Sequence, residues 1–426
     1  MNRLVLALVL VLVGSGSRHA LAQVPPESAL NKPGPGEQPT PGAKLPEKDT
    51  WTLVPLPIVY TDPNVGVGFG FMPVGLLHPE KRIEWIFAPS VEYNSIVGTS
   101  FVSRVFWYPT AKEQIVAYNS ISTGPNMEES LEVHEENRLL EEHSRDYARG
   151  YFIVDATKRF FGLGSGTRSR DETAYRLREY GVDGEFGYRF DGGFRLGPTA
   201  RYRNAKIGPS IVQDLPDTLE RFPRIQGVDP SGVDIFGFGA HAVLDLRDDE
   251  AIPNDGFFAD AFVEFSVRGL VSETRYERWG AQVIHHLPIV RPGTWVNVVR
   301  LRYQGLDGDP HVPFWELPSL GGSENLRGFG VGRFTDDQSI VATIEERFRF
   351  LDMTIRDNHL LLEAAPFLDA GRVFGPDDPL STARWQFVPG AGIRMLLPDS
   401  SIVARFDLGY SIHEGSAVFV VLGYPF

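Results

Sequence analysis

The chain has 426 residues, no cysteine, 42% hydrophobic and 12% aromatic residues, and a formal net charge of −14. It is too apolar and aromatic to be disordered throughout. Without cysteine it has no disulfide framework, thiolate metal site or thiol nucleophile, and its acidic balance argues against nucleic-acid binding.

The first element is a targeting segment. Arg3 supplies a basic start, Leu4 to Val13 is an apolar run too short to cross a bilayer, and Ala20-Leu21-Ala22 is an A-x-A cleavage pattern before Gln23. Residues 1–22 therefore read as a Sec signal peptide cleaved near Ala22. Residues 23–58 begin with a stretch rich in Pro, Gly, Lys and Glu and read as a disordered periplasmic linker. No later apolar run reaches 18 residues, so a membrane-spanning form would have to be a barrel.

From residue 59 to 426 the pattern alternates with period two. Val182, Gly184, Phe186, Tyr188 and Phe190 share one face, and Asp183, Glu185 and Arg189 the other. Ala404, Phe406, Leu408 and Tyr410 likewise oppose Arg405 and Asp407. Apolar faces with aromatics near their ends, opposite faces carrying both signs of charge, match the lipid and lumen sides of a transmembrane barrel. Trp85, Trp107, Tyr108, Trp295 and Trp385 are candidates for the aromatic girdles.

Segments at 64–74, 83–94, 98–108, 113–122, 148–160, 174–190, 194–206 and 235–246 read as strands, and so do 256–268, 273–286, 294–305, 338–350, 360–370, 385–396, 401–411 and 416–426. The fold class is all-β, a transmembrane antiparallel β-barrel of about 16 strands. Short connections at 190–193, 288–293 and 398–401 are expected in the periplasm, and longer ones at 161–173, 207–234, 306–337 and 371–384 outside. The acidic stretch 123–147, with Glu128, Glu129, Glu132, Glu135, Glu136, Glu141 and Glu142, breaks the pattern. By strand count it is a periplasmic, short helical insertion; one miscounted strand would move it outside.

Six motifs follow one another in order. They are Tyr60 to Gly70 (YTDPNVGVGFG), Phe160-Phe-Gly-Leu-Gly164, Asp245-Leu-Arg-Asp248 with Pro253 and Gly256, Leu326-Arg-Gly-Phe329, Phe367-Leu-Asp-Ala-Gly371 and the terminal Leu-Gly-Tyr-Pro-Phe426. Together they resemble the opening strand, the F-Y-G-x-G segment, the D-x-R-D periplasmic turn, the RGF loop motif, the F-x-D-x-G strand and the C-terminal insertion signal of the BamA/TamA outer-membrane barrel superfamily, which includes the bacterial surface antigens. The resemblance implies a long sixth extracellular loop folded into the lumen. It also implies outer membrane of a Gram-negative bacterium as the location. Residues 23–58 are too few for a POTRA domain, roughly 75 residues, so the likeness is to a branch lacking POTRA domains, with the acidic insertion as a substitute docking element.

The resemblance implies that Arg327 meets acidic residues of the inner wall. Strand parity turns Asp369 and Glu345 inward, and a guanidinium fork fits a carboxylate with two parallel hydrogen bonds. Arg327–Asp369 is the expected pair, with Glu345 second. Gly328 would permit close backbone approach and Phe329 would pack in the lumen. Asp245, Arg247 and Asp248 are expected in a periplasmic turn, and Phe426 in the insertion signal. Gly66, Gly68 and Gly70 share the inner face of the expected first strand, and Gly423 and Pro425 lie in the expected last one. A seam of these strands should pair poorly, and in the resembling family that seam is a lateral gate. The other reading is that the glycines clear space for the packed loop.

The implied function is assembly, insertion or export of outer-membrane components through the barrel and its seam. The alternative is a passive channel or structural surface antigen without assembly activity. Implied partners are outer-membrane lipid and lipopolysaccharide, client outer-membrane proteins and the barrel assembly machinery. No cofactor, metal, nucleic acid or small-molecule substrate is expected. An enzyme is not expected either: His285 and His286 are adjacent and point to opposite faces of a strand, and no G-x-S-x-G lies near them. His134 and His143 sit in a charge run that reads as solvated rather than cation-binding.

Overall fold

The computed structural model describes residues 50–426 except 79–83, 111, 137–142, 226–231, 270, 291–292, 356–357, 377, 379–383 and 398–401. The expected signal peptide and most of the expected linker lie outside the described residues. Among the described residues, one 19-stranded antiparallel sheet dominates, with a separate two-stranded hairpin. The strands of the sheet are β1 (Thr50–Asp62), β2 (Gly66–His78), β3 (Trp85–Phe87), β4 (Ser90–Asn94), β5 (Gly98–Trp107), β6 (Glu113–Ser122), β7 (Met127–Glu136), β8 (Ser144–Phe160), β9 (Thr173–Arg189) and β10 (Phe194–Gly208). They continue with β11 (Val233–Asp245), β12 (Gly256–Ser266), β13 (Tyr276–Pro288), β14 (Trp295–Gly308), β17 (Gln338–Ile355), β18 (Asn358–Phe374), β19 (Gln386–Leu397), β20 (Ile402–Ser411) and β21 (Gly415–Leu422). The hairpin is β15 (Ser319–Leu320) with β16 (Phe334–Thr335), inside the long connection between β14 and β17.

Each strand pairs with its chain neighbour, and β3 and β4 both lie between β2 and β5 as two halves of one crossing. The sheet therefore makes one fewer crossing than it has strands, an even number. It curls until β1 and β21 lie side by side, with Cα atoms within 8 Å. No ladder joins these two edges among the described residues.

Alternation explains the wall. Val67, Phe69, Phe71, Phe101, Val182, Leu301, Ile344, Leu368 and Phe387 are exposed on the outer face, whereas Glu185, Glu264, Glu345, Asp369, Arg394 and Asp407 are buried on the inner one. Trp85 and Trp107 stack at 5.0 Å, and Trp295 meets Phe348 at 4.8 Å, all near the end where the connections are short. Tyr108 is buried and accepts a hydrogen bond from Gln114 at 2.9 Å.

Two expected elements are corrected. Thr50–Asp62 is strand β1, not linker: it pairs along its whole length with β2. The acidic stretch is not a helical insertion, because Met127–Glu136 crosses as β7 between β6 and β8. Glu128, Glu132 and His134 of β7 are buried while Leu131 is exposed, so its charge run lines the interior. The added strands make the long connection before β17 the seventh at its end rather than the sixth. They leave unchanged which connections share an end: those after β8, β10, β14 and β18 lie together, opposite those after β9, β13 and β19.

Candidate functional site: the lumen loop and its wall

Residues 309–337 fold into the barrel. Phe314, Trp315 and Leu317 are at most 2% exposed and pack with Phe160, Tyr175, Leu177, Ile235 and Tyr276 from the wall. Leu326, Phe329 and Phe334 form a second cluster with Val341, Phe367, Val373 and Val388. The β15–β16 hairpin closes the neck of the loop and presents Arg327 to β17, β18 and β20.

The geometry at Arg327 is a fork. Its Nε and Nη2 donate to the two oxygens of Asp369, each at 2.9 Å, and its backbone N–H donates to the same carboxylate at 3.1 Å. Nη1 donates to Glu345 at 2.6 Å and lies 3.7 Å from Asp407. The guanidinium sits 3.4 Å from the centre of the Phe367 ring. Arg327 is 1% exposed, and Asp369, Glu345 and Asp407 are fully buried, so the pairs are held in a medium of low dielectric where leaving one partner alone is costly. Gly328 packs its backbone against Val388, where an added Cβ would come within 2.9 Å. Phe329 is buried and meets Phe334 edge-on at 5.0 Å.

The wall around this fork contains residues that the motifs did not indicate. Glu345 also accepts from Arg347 and Arg394, each at 3.0 Å. Asp407 accepts from Arg394 at 2.5 Å and Arg405 at 2.9 Å. Thr343 donates to Asp369 at 2.9 Å. Arg405 and Arg300 hold the loop backbone at Ser323 and Glu324, at 2.9 and 2.6 Å. On β20, a Cβ at Gly409 would come within 2.1 Å of the Arg327 carbonyl oxygen, so only glycine lets the loop lie this close. Inward parity of Arg394, Arg405 and Asp407 was a signal available in the sequence.

A second anchor lies nearer the root of the loop. Glu316 accepts from Arg203 at 2.6 Å and Arg201 at 3.0 Å, and Arg278 is 3.8 Å away. Glu264 receives Arg201 at 2.9 Å, Arg278 at 3.2 Å and the Tyr276 hydroxyl at 2.7 Å. Glu179 pairs with Arg203. Burial alone would raise the Glu316 carboxyl, but Arg201, Arg203 and Arg278 outweigh it and hold it at about 2. The sequence signal for Glu316 was one carboxylate inside the apolar run Val312 to Pro318.

Other motif residues also bear on the loop. Phe161 of the F-F-G-L-G segment lies 4.3 Å beneath Arg333, and the Gly164 N–H donates to Thr335 at 2.9 Å. Asn64, in the turn between β1 and β2, donates to the Val331 carbonyl at 2.9 Å. Far from the loop, Asp245 receives Arg247 at 2.8 and 2.5 Å, and Asp248 caps the Asn254 and Asp255 N–H groups.

The expected seam is moved. The glycine strand is β2, which is paired on both sides, with β1 and with β3 and β4. Gly66 adopts a positive φ of 76° at the turn, and Gly68 makes room for the Tyr60 ring, 2.1 Å from an added Cβ. The edges that meet are β1 and β21. On β1, Pro55 stands opposite Pro73. Neither proline has an N–H, so this is a non-hydrogen-bonded pair, and the nitrogen of Pro55 points away from β2. Pro57 has the same parity. The free edge of β1 therefore lacks two donors toward β21. Gly423 and Pro425 lie past the end of β21. The tail turns inward instead: the Tyr424 ring lies under Arg347 at 3.7 Å, and Phe426 under Arg300 at 5.1 Å beside Val296 and Val298.

A family model described as the Omp85 superfamily domain matches residues 137–417. Comparison with curated protein sequences gives no match. Among solved structures, the chain is similar to BamA from Haemophilus ducreyi lacking POTRA domains 1–3, with a TM-score of 0.57 and 16% identity over 88% of this chain and 70% of that one. It is also similar to CdiB from Escherichia coli, with a TM-score of 0.49 and 12% identity over 89% of this chain and 63% of that one. The likeness to BamA is one of fold.

Proposed function

This chain belongs to the Omp85 superfamily, and on that premise we propose that it helps assemble, insert or export other outer-membrane components through the barrel and the seam between β1 and β21. The chain is an Omp85-type outer-membrane protein. The observation that carries the proposed reading is the seam. Among the described residues two strand edges lie side by side with no ladder between them, and one edge lacks N–H donors at Pro55 and Pro57. Such an edge is the place where an extended client strand could add, because main-chain groups there await a partner. The anchored loop supports the same reading. It fills the lumen with Phe314, Trp315, Leu326 and Phe329, which disfavours a plain aqueous channel and keeps the wall rigid while the seam works.

The chain has no cysteine, so one cysteine placed in β1 and one in β21 report on the seam alone. We expect the oxidised, locked barrel to lose its support of other outer-membrane proteins in quantitative proteomics after depletion of the native protein, and reduction to restore it. Full support by the locked barrel would reject the seam route. An unchanged proteome on depletion would reject the assembly role.

A further inference from the structure

The outer wall carries a cationic groove that the lumen site does not use. On the outward face, Arg178 of β9 stands opposite Lys206 of β10, and Arg176 opposite Gly208. Val154 of β8 is paired with Arg178 on one side and Met127 of β7 on the other. These residues, with Phe152, line a groove of about 400 Å³. It lies at the end of the barrel that carries the long loop. Below it on β9 the outward side chains turn apolar, with Tyr180, Val182 and Tyr188 exposed.

Among the described residues, no carboxylate is ion-paired to Arg176, Arg178 or Lys206, and Arg178 lies over the Phe152 ring at 5.5 Å. Two outward carboxylates lie nearby and each is engaged by polar side chains: Asp234 accepts from Tyr202 and Asn204 at 2.8 Å each, and Glu129, opposite Phe152, accepts from Asn119 at 3.2 Å. Three cations at the upper edge of an apolar band sit at headgroup level, with Met127 and Val154 in register beside them and Phe152, the next outward residue of β8, further toward the apolar band, a surface for acyl chains.

We propose that Arg176, Arg178 and Lys206 bind the phosphate groups of a phosphorylated, multiply acylated glycolipid of the outer leaflet, with its acyl chains against Phe152, Val154 and Met127. Guanidinium groups suit phosphate because they donate paired hydrogen bonds to its oxygens. The lipid is favoured over free phosphate because the cations stand beside apolar side chains rather than in a polar cradle. The inference rests on outer-membrane placement with the long loop outside, and not on the assembly role. Lipid retention therefore tests it without reference to clients.

The test uses the purified full chain in detergent, native mass spectrometry, and three probes: doubly phosphorylated lipid A, its dephosphorylated form, and inorganic phosphate as competitor. We expect the wild type to retain the phosphorylated lipid and not the dephosphorylated one, with no competition by phosphate. The triple variant R176Q/R178Q/K206Q should lose about a hundredfold in apparent affinity, while Arg268→Gln, an exposed loop cation elsewhere, should retain it. Equal retention of the two lipids by the wild type, or of the phosphorylated lipid by the triple variant, overturns the proposal. Displacement by inorganic phosphate overturns the choice of a lipid.

Discussion

Two anchors fix the same loop with opposite charges. At Arg327 a loop cation enters a wall of carboxylates, Asp369, Glu345 and Asp407, each braced by further arginines or Thr343. At Glu316 a loop anion enters a wall of guanidiniums, Arg201, Arg203 and Arg278, braced by Glu264 and Glu179. Both are nearly fully buried, at 1% and 4% exposed. They differ in what else holds the loop. Around Arg327 the loop backbone is also gripped at Ser323, Glu324 and Arg327 itself. Around Glu316 the flanking loop residues Phe314, Trp315 and Leu317 are buried in an apolar cluster, and the Glu316 carboxylate joins the turn to Arg201 and Arg203. The difference teaches that the value of a buried anchor is set by what remains unpaired when it is cut, and by how much of the backbone stays tied.

The comparison breaks most sharply at Arg327→Ala. That change leaves Asp369 buried without its fork and should destabilise the barrel by about 3–5 kcal/mol. The midpoint of heat-dependent mobility in gels, with denaturant unfolding in detergent, reads it. Arg327→Lys keeps the charge but cannot reproduce the fork, so it should fall between wild type and alanine. A lysine variant as weak as alanine would show that geometry, not charge, sets the anchor.

Glu316→Gln comes next. It keeps the volume and removes the charge, while Arg201 and Arg203 retain Glu264 and Glu179. A loss of about 1.5–3 kcal/mol is expected, and protection from exchange should fall at 312–320 while 323–329 stays protected. A cycle combining Arg327→Ala with Glu316→Gln should be additive within about 0.5 kcal/mol. Larger coupling would mean that the loop is one unit and the contrast between its anchors is false.

Much of this was legible in the sequence, and the parts that were not have physical reasons. Arg327, Asp369 and Glu345 lay in motifs or at inward parity, and a fork between them needs only that parity. β1 was hidden because Pro55 and Pro57 read as linker; an edge strand tolerates them, since their missing N–H groups face no ladder. β7 was hidden because a run of glutamates reads as solvated, whereas a barrel interior accepts alternate carboxylates as wall. The two omissions cancel in parity, which is why the later connections still fall at the same end as one another as expected. Glu316 was missed because its partners are distant in sequence, on β10 and β13.

Gly409→Ala is a smaller perturbation of the Arg327 side alone. Its methyl would press on the Arg327 carbonyl and force the backbone to shift, costing about 1–3 kcal/mol. The same substitution at Gly415, where nothing lies within 4 Å of an added Cβ, should have a different basis, the strain of its positive φ of 81°. Combining each with Arg327→Ala separates them: the Gly409 loss should shrink once the loop is released, and the Gly415 loss should not.

The smallest effect is in pH, and it belongs to Glu316. Its carboxyl is held at about 2 in the folded chain and would titrate near about 4.3 when unfolded. A depressed carboxylate contributes its stability above the unfolded value and loses it as pH falls toward the folded one. Protonated glutamic acid is then little different from glutamine. The stability gap between wild type and Glu316→Gln should therefore be full at pH 6 and narrow steadily between about 4.3 and about 2. Because each measurement is a difference at one pH, acid effects shared by both proteins drop out. A gap that stays constant down to pH 2 would show that the carboxylate charge does not hold this anchor, and that Glu316 and Arg327 differ in kind and not only in sign.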